Sequence, residues 1–169
     1  MQDGFRPPAF DEAANALAPV LHNLSGKIVA IDGYPGVGKT TLGRFLAWRF
    51  NVSLITETDL LLIEGQGRLV HRNDDIARII TYQLGIPSPV IVEGCGVLRL
   101  LSQVNRSSDF LVYVTSKDAP GVDRNFATDL AKYDAEFSPQ QRANITIELS
   151  NGQFVLALDF CENVENKGL

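Results

Sequence analysis

Apolar positions along this chain change period several times, and each change marks an element. Phe10, Ala13, Ala14, Leu17, Leu21 and Leu24 recur at three- and four-residue steps, which predicts a helix packed by one face on the domain. Pro19 interrupts that pattern, so the helix is either kinked or made of two short pieces, and Ser25 and Gly26 end it. Residues 1–8 carry Gly4, Pro7 and Pro8 and read as a loose arm. A β-branched run at residues 27–32 predicts the first strand. Leu42, Phe45, Leu46, Arg49 and Phe50 then place a stripe on the first major helix, with Trp48 and the phenylalanines assigned to the core. Asn51 ends this helix. Residues 52–56 predict a second buried strand, delivering Glu57, Thr58 and Asp59 to its carboxyl end.

Two glycines within residues 64–68 predict a mobile loop over the ligand crevice. Asn73, Asp74 and Asp75 are placed to cap a helix with apolar positions Ile76, Ala77, Ile79, Ile80 and Leu84, ending at Gly85. Val90, Ile91, Val92 and Glu93 form a short strand ending in an acid. Gly94, Cys95 and Gly96 then turn the chain into a helix over residues 97–104. A fourth strand is expected at residues 109–114 and a polar helix at 119–134, holding Arg124, Lys132 and Tyr133. Residues 144–149 alternate at period two, and Asn151-Gly152 leads into a second run at 153–160. That combination predicts an antiparallel hairpin at the C-terminus.

Strands alternating with helices imply an α/β fold, a three-layer sandwich whose five-stranded, mostly parallel sheet has helices on both faces. With 169 residues and 45% hydrophobic composition, one domain is expected: an arm and helix over residues 1–26, a core over 27–149 and the hairpin over 144–160. A net charge of −5 argues against a nucleic-acid partner, which calls for a basic surface. The longest apolar runs are too short to span a bilayer, so no membrane partner and a soluble, cytoplasmic protein are expected. Cys95 and Cys161 lack metal-ligand spacing and read as reduced thiols, and His22 and His71 are isolated.

The candidate chemistry lies between the first strand and the first major helix. Gly33, Tyr34, Pro35, Gly36, Val37, Gly38, Lys39 and Thr40 fit the phosphate-binding pattern GxxxxGK[ST], and Thr41 continues into the helix. A triphosphate needs many N–H donors close together, and small residues let the backbone curl that tightly around an anion. Lys39 would reach the β- and γ-phosphates, and Thr40 would put its hydroxyl on Mg²⁺. The strand before and the helix after separate this match from a chance glycine turn.

Residues 28–33, followed by this loop, are similar to the opening of uridine kinases, and residues 89–94 resemble their VIVEG strand. The order of parts resembles the small-molecule kinases among the P-loop proteins, including the nucleoside-monophosphate, shikimate and gluconate kinases, over about residues 27–149. The resemblance implies ATP-dependent phosphoryl transfer to a small hydroxyl-bearing acceptor, with ATP and Mg²⁺ bound. Thr40 and Glu93 would hold the metal, Glu93 directly or through water. Asp59, with Glu57 as the alternative, would orient and deprotonate the acceptor hydroxyl, although acids at strand ends also cap helices. Arg124 would stabilise the transferring phosphoryl group if its segment closes as a lid. Arg68, Arg72 and Arg99 suit an anionic acceptor, and equally an ordinary surface. Two departures stand out: only Arg124 and Lys132 serve the lid region, and the C-terminal hairpin is foreign to the pattern. A nucleotide-binding regulatory protein and a simple ATPase therefore stay open as alternatives. Lys117 and Asp118 keep only part of the guanine-reading NKxD signature.

Overall fold

Five parallel strands run side by side in the order β2-β3-β1-β4-β5, and the helices lie on both faces of the sheet they form. The computed structural model describes residues 7–22, 24–56, 70–119, 121, 122 and 124–149. The strands are β1 (Ile28–Asp32), β2 (Ser53–Thr56), β3 (Val90–Glu93), β4 (Phe110–Ser116) and β5 (Ile145–Leu149). The helices described are α1 (Pro8–Leu21), α2 (Lys39–Phe50), α3 (Asn73–Leu84), α4 (Val97–Gln103), α5 (Arg124–Phe137) and the single turn α6 (Pro139–Arg142).

Why the strands read as they do follows from their place in the sheet. Central β1 is buried at every position, because helices cover both of its faces and strands flank both of its edges. Its odd positions, Val29 and Ile31, pack with Ile91, Val112 and Val114 under α1 and α2. Its even positions, Ile28 and Ala30, pack with Val90, Val92 and Leu111 under α3, α4 and Tyr133 of α5. Edge strand β5 is covered on one side only, so it alternates, with Ile147 and Leu149 buried and Thr146 and Glu148 exposed. That alternation belongs to a parallel edge strand paired with β4. The second strand of the expected hairpin, residues 153–160, lies outside the described residues.

Several expectations shift. Pro19 does not divide α1, which runs as one helix from Pro8 to Leu21. Pro19 falls in the last turn, and the carbonyl it cannot reach belongs to Asn15, a residue on the solvent side. The helix ends at Leu21, with His22 extended, before Ser25 and Gly26. Trp48 is not a core residue: it is 75% exposed on the outer side of α2, while Leu42 and Leu46 fill the inner side. Asn73, Asp74 and Asp75 fall within α3 itself, and no side chain caps it. The polar helix begins later than expected, at Arg124, and β4 extends through Thr115 and Ser116 because these residues pair with β5.

The strand order matters for function. Leaving β1, the chain goes to one side to make β2 and β3, then crosses to the other to make β4 and β5. A crevice opens at the carboxyl ends of strands where such an order reverses. Here the order reverses at β1, and the strand ends that meet at that point are Asp32 and Glu93.

Candidate functional site

The glycine loop leaves β1 at Asp32 and returns as α2. Gly33 and Gly38 have φ of +143° and +95°, so the chain curls tightly and Lys39 enters the helix with no side chain capping it. The first-turn N–H groups of α2 have no partner within the helix, and its dipole adds partial positive charge. Lys39 is 7% exposed and folds back over the loop. Its Nζ donates to the Tyr34 carbonyl at 2.9 Å and to Cys95 Sγ at 3.1 Å. Cys95 is a buried thiol outside any disulfide, as expected.

Beside Lys39, the Thr40 hydroxyl donates to Glu93 Oε1 at 2.9 Å. Glu93 is 1% exposed and ends β3, opposite Ile31 of β1 and Thr56 of β2. The structure thus brings together the loop lysine, the loop threonine and the strand-end acid, 54 residues apart between Lys39 and Glu93 (93 minus 39). One hydroxyl and one carboxylate are hard oxygen donors that fit Mg²⁺, an ion that keeps waters and phosphate oxygens rather than filling its shell from protein. Among the described residues, no group of three or more His, Cys, Asp or Glu could hold a metal by itself.

A residue missed in the sequence lies at the centre of this region. Asp32 is 1% exposed; its Oδ1 accepts the Gly33 N–H at 2.7 Å and the Gly96 N–H at 3.3 Å. Its Oδ2 accepts the Tyr133 hydroxyl, which in turn accepts the Leu98 N–H at 3.3 Å. One carboxyl therefore ties the start of the glycine loop, the turn into α4 and helix α5. The available signal was an aspartate continuing a fully buried strand, since an acid there must find several donors. On the outer side, the Tyr34 hydroxyl donates to Asp134 Oδ2 at 2.5 Å.

Burial pushes the Asp32 carboxyl up to about 6 from 3.8, against the opposing effect of its hydrogen bonds and the charge of Lys39. Burial and the neighbouring Asp32 raise Tyr133 well above the ordinary phenol range. Burial, then the charges of Asp134 and Asp32, do the same to Tyr113. The hydrogen bond to Asp134 is the main reason that Tyr34 is pushed up to about 12. For Asp32 the folded protein holds the proton more tightly than the unfolded chain. This group's stabilisation is complete below the unfolded value and is lost as pH rises through about 6. In urea unfolding, the stability of the wild type relative to Asp32→Asn is expected to fall by about 2–3 kcal/mol between about pH 4 and pH 7. A difference that stays flat with pH would show that Asp32 titrates normally. Asp109, held below the usual range by the Ile28 N–H and Lys27 against the effect of its own burial, has the opposite slope and cancels in the comparison.

The remaining candidates divide. Arg124 opens α5 at an exposed position, and Lys132 is exposed on the same helix. Arg99 pairs with Asp129 of α5 at 3.1 Å and lies 5.4 Å from the centre of the Tyr133 ring, which makes it part of the α4–α5 packing. Arg72 is exposed just before α3. Lys117 pairs with Glu148 across the β4–β5 edge at 3.0 Å, with both side chains largely exposed. Glu57, Asp59 and Arg68 lie outside the described residues. No described helix is long and apolar enough to cross a membrane.

No family model matches the sequence, and no curated protein matches it at the level of sequence. Solved structures do match. A possible uridine kinase from Bacillus stearothermophilus aligns over 82% of this chain and 97% of its own, at 16% identity and a TM-score of 0.61. A shikimate kinase from Acinetobacter baumannii aligns over 92% of this chain and 99% of its own, at 16% identity and a TM-score of 0.47. The first of these shows a shared fold, an α/β sandwich.

Proposed function

We propose that this protein transfers the γ-phosphoryl group of ATP to a hydroxyl of a small molecule, a nucleoside or another metabolite. The observation that carries this reading is the meeting of Lys39, Thr40 and Glu93 at the carboxyl ends of β1 and β3. A loop that only needed to hold an anion has no use for a buried acid against its threonine. An acid in that position suits a site that handles a metal-bound triphosphate.

Phosphoryl transfer relies on positioning and charge neutralisation rather than on covalent chemistry by the protein. The loop amides and Lys39 bind and orient the β- and γ-phosphates. Thr40 and Glu93 would hold Mg²⁺, which would supply positive charge to offset that of the phosphates. Asp59 is our candidate for the group that orients the acceptor hydroxyl and takes its proton, and Arg124 for the cation facing the transferred group. The bond from the γ-phosphorus to the bridging oxygen breaks, the acceptor oxygen bonds to that phosphorus, and ADP leaves.

The test is ADP release with ATP and Mg²⁺ against a panel of nucleosides, sugars and hydroxy acids. At least one acceptor is expected to raise release well above the rate in water. In that assay Asp59→Asn should lower turnover by about 10²-fold or more with ATP affinity within about twofold, the pattern of a lost general base. Release that is equal with and without every acceptor would replace the kinase by an ATPase. Binding without turnover would replace it by a regulatory nucleotide-binding protein.

A further inference from the structure

Four side chains join the glycine loop to α5 in a crossed arrangement. Asp32 and Tyr34 stand on either side of Gly33, and Tyr133 and Asp134 are neighbours on the helix. The loop's acid accepts from the helix's phenol, and the loop's phenol donates to the helix's acid. The two bonds differ in surroundings. Tyr133 and Asp32 are both 1% exposed, whereas Tyr34 is 38% exposed and its bond to Asp134 faces solvent. A buried bond to a carboxylate is costly to leave unmade, while an exposed one exchanges with water. One half of the clasp is therefore permanent and the other can open.

The same face of α5 makes the other ties. Asp129 pairs with Arg99 of α4, and Leu130 packs against Cys95 in the turn after β3. Residues 129, 130, 133 and 134 follow helical spacing, so a single face of α5 is fixed to the loop and to the neighbouring turn. Tyr34 also has a second role, because its carbonyl and the Cys95 thiol are the acceptors that hold Lys39 Nζ. The residue tied to α5 by its side chain thus holds the phosphate-binding lysine by its backbone.

We propose that this clasp makes α5 a reporter of phosphate occupancy: Tyr34, Asp134, Tyr133 and Asp32 are positioning residues that couple the glycine loop to the helix bearing Arg124. The inference rests on the phosphoryl-transfer reading only in requiring that a triphosphate bind the loop. When phosphates draw Lys39 away from the Tyr34 carbonyl, the loop at Tyr34 is freed to adjust, and its phenol moves α5 through Asp134 while Tyr133 stays anchored on Asp32. Coupling of this kind travels through packed, hydrogen-bonded neighbours with two arrangements.

Hydrogen exchange read by mass spectrometry tests it, with the β,γ-imido analogue of ATP and Mg²⁺ as the probe. In the wild type the probe is expected to slow exchange about tenfold both in residues 33–42 and in α5, a difference that such exchange resolves readily. In the double variant Tyr34→Phe/Tyr133→Phe both rings stay and both hydroxyls go. There the loop should still be protected and α5 should respond less than about twofold. Equal protection of α5 in wild type and variant would overturn the proposal, as would a protected loop with an indifferent α5 in the wild type. If the loop itself is unprotected in the wild type, the nucleotide site is wrong and the coupling falls with it. Should the double variant fail to fold, Tyr34→Phe alone decides the matter. It removes only the exposed bond, and an undiminished α5 response in that variant overturns the coupling.

Discussion

Lys39→Ala is expected to weaken triphosphate binding about a hundredfold and turnover about a thousandfold, with no loss of stability. The magnitudes are those for removing one charged donor from a preorganised anion site. The stability half follows from burial. Nζ is held by one carbonyl and one thiol, so deleting the ammonium removes a desolvated cation, and the charge it lends to buried Asp32 is a minor offset beside the effect of burial on that carboxyl. Glu93 still receives the Thr40 hydroxyl. A fluorescent ATP analogue, coupled ADP assays and a thermal melt would measure the three quantities together. Unchanged affinity would remove the glycine loop from the site. A large fall in melting temperature would show that Lys39 is structural.

Gly33→Ala should fail in the opposite way, by damaging the fold and the site together. A Cβ on Gly33 would lie 2.3 Å from the Val114 carbonyl oxygen and 3.2 Å from a Val37 methyl, at a φ of +143°. Val114 belongs to β4, which is bonded to β1 on one side and β5 on the other, so its carbonyl cannot retreat without opening the sheet. Left-handed strain and overpacking together are expected to cost about 3 kcal/mol or more, with nucleotide binding lost as the loop is displaced. Gly26→Ala is the control. It also has positive φ, +73°, but a Cβ there meets nothing within 4 Å. Its cost should be about 1 kcal/mol, with binding intact. Urea titrations of both variants with nucleotide binding check the contrast, and equal costs would show that the contact with β4 is not what requires glycine.

What the sequence displays depends on how far apart the interacting groups are. The glycine loop is legible because the strand, curl and helix that it needs are contiguous, and Glu93 because an acid ends a short β-branched run. Asp32 is not legible in the same way. Its donors come from Gly33, Gly96 and Tyr133, and the last lies 101 residues further on. Nothing local to Tyr133 distinguishes a phenol aimed at a buried carboxyl from one lying on a helix surface. Trp48 misleads because hydrophobicity favours burial, whereas its place on α2 faces away from the sheet once Leu42 and Leu46 face toward it. β5 is legible only in part. Period-two alternation reports that one face is covered and does not name the partner strand, which among the described residues is β4, in parallel. Arg99 reads as a free cation in the sequence, but Asp129 claims it in the fold.

The first and last described elements of this molecule meet. Phe10 and Leu17 of α1 share one cluster with Ile147 and Leu149 of β5, and β1 lacks its β4 neighbour until residues 110–116 are in place. A nascent chain that has already made the glycine loop and Glu93 therefore has half a sheet, with one edge of its central strand open. Closing that edge requires pairing Val29 with Phe110, 81 residues further along the chain, the kind of separation that slows folding and leaves strand edges exposed in the meantime. The glycine loop is thus synthesised before Val114 and Tyr133, which fix its geometry, and acquires its final surroundings only when they arrive.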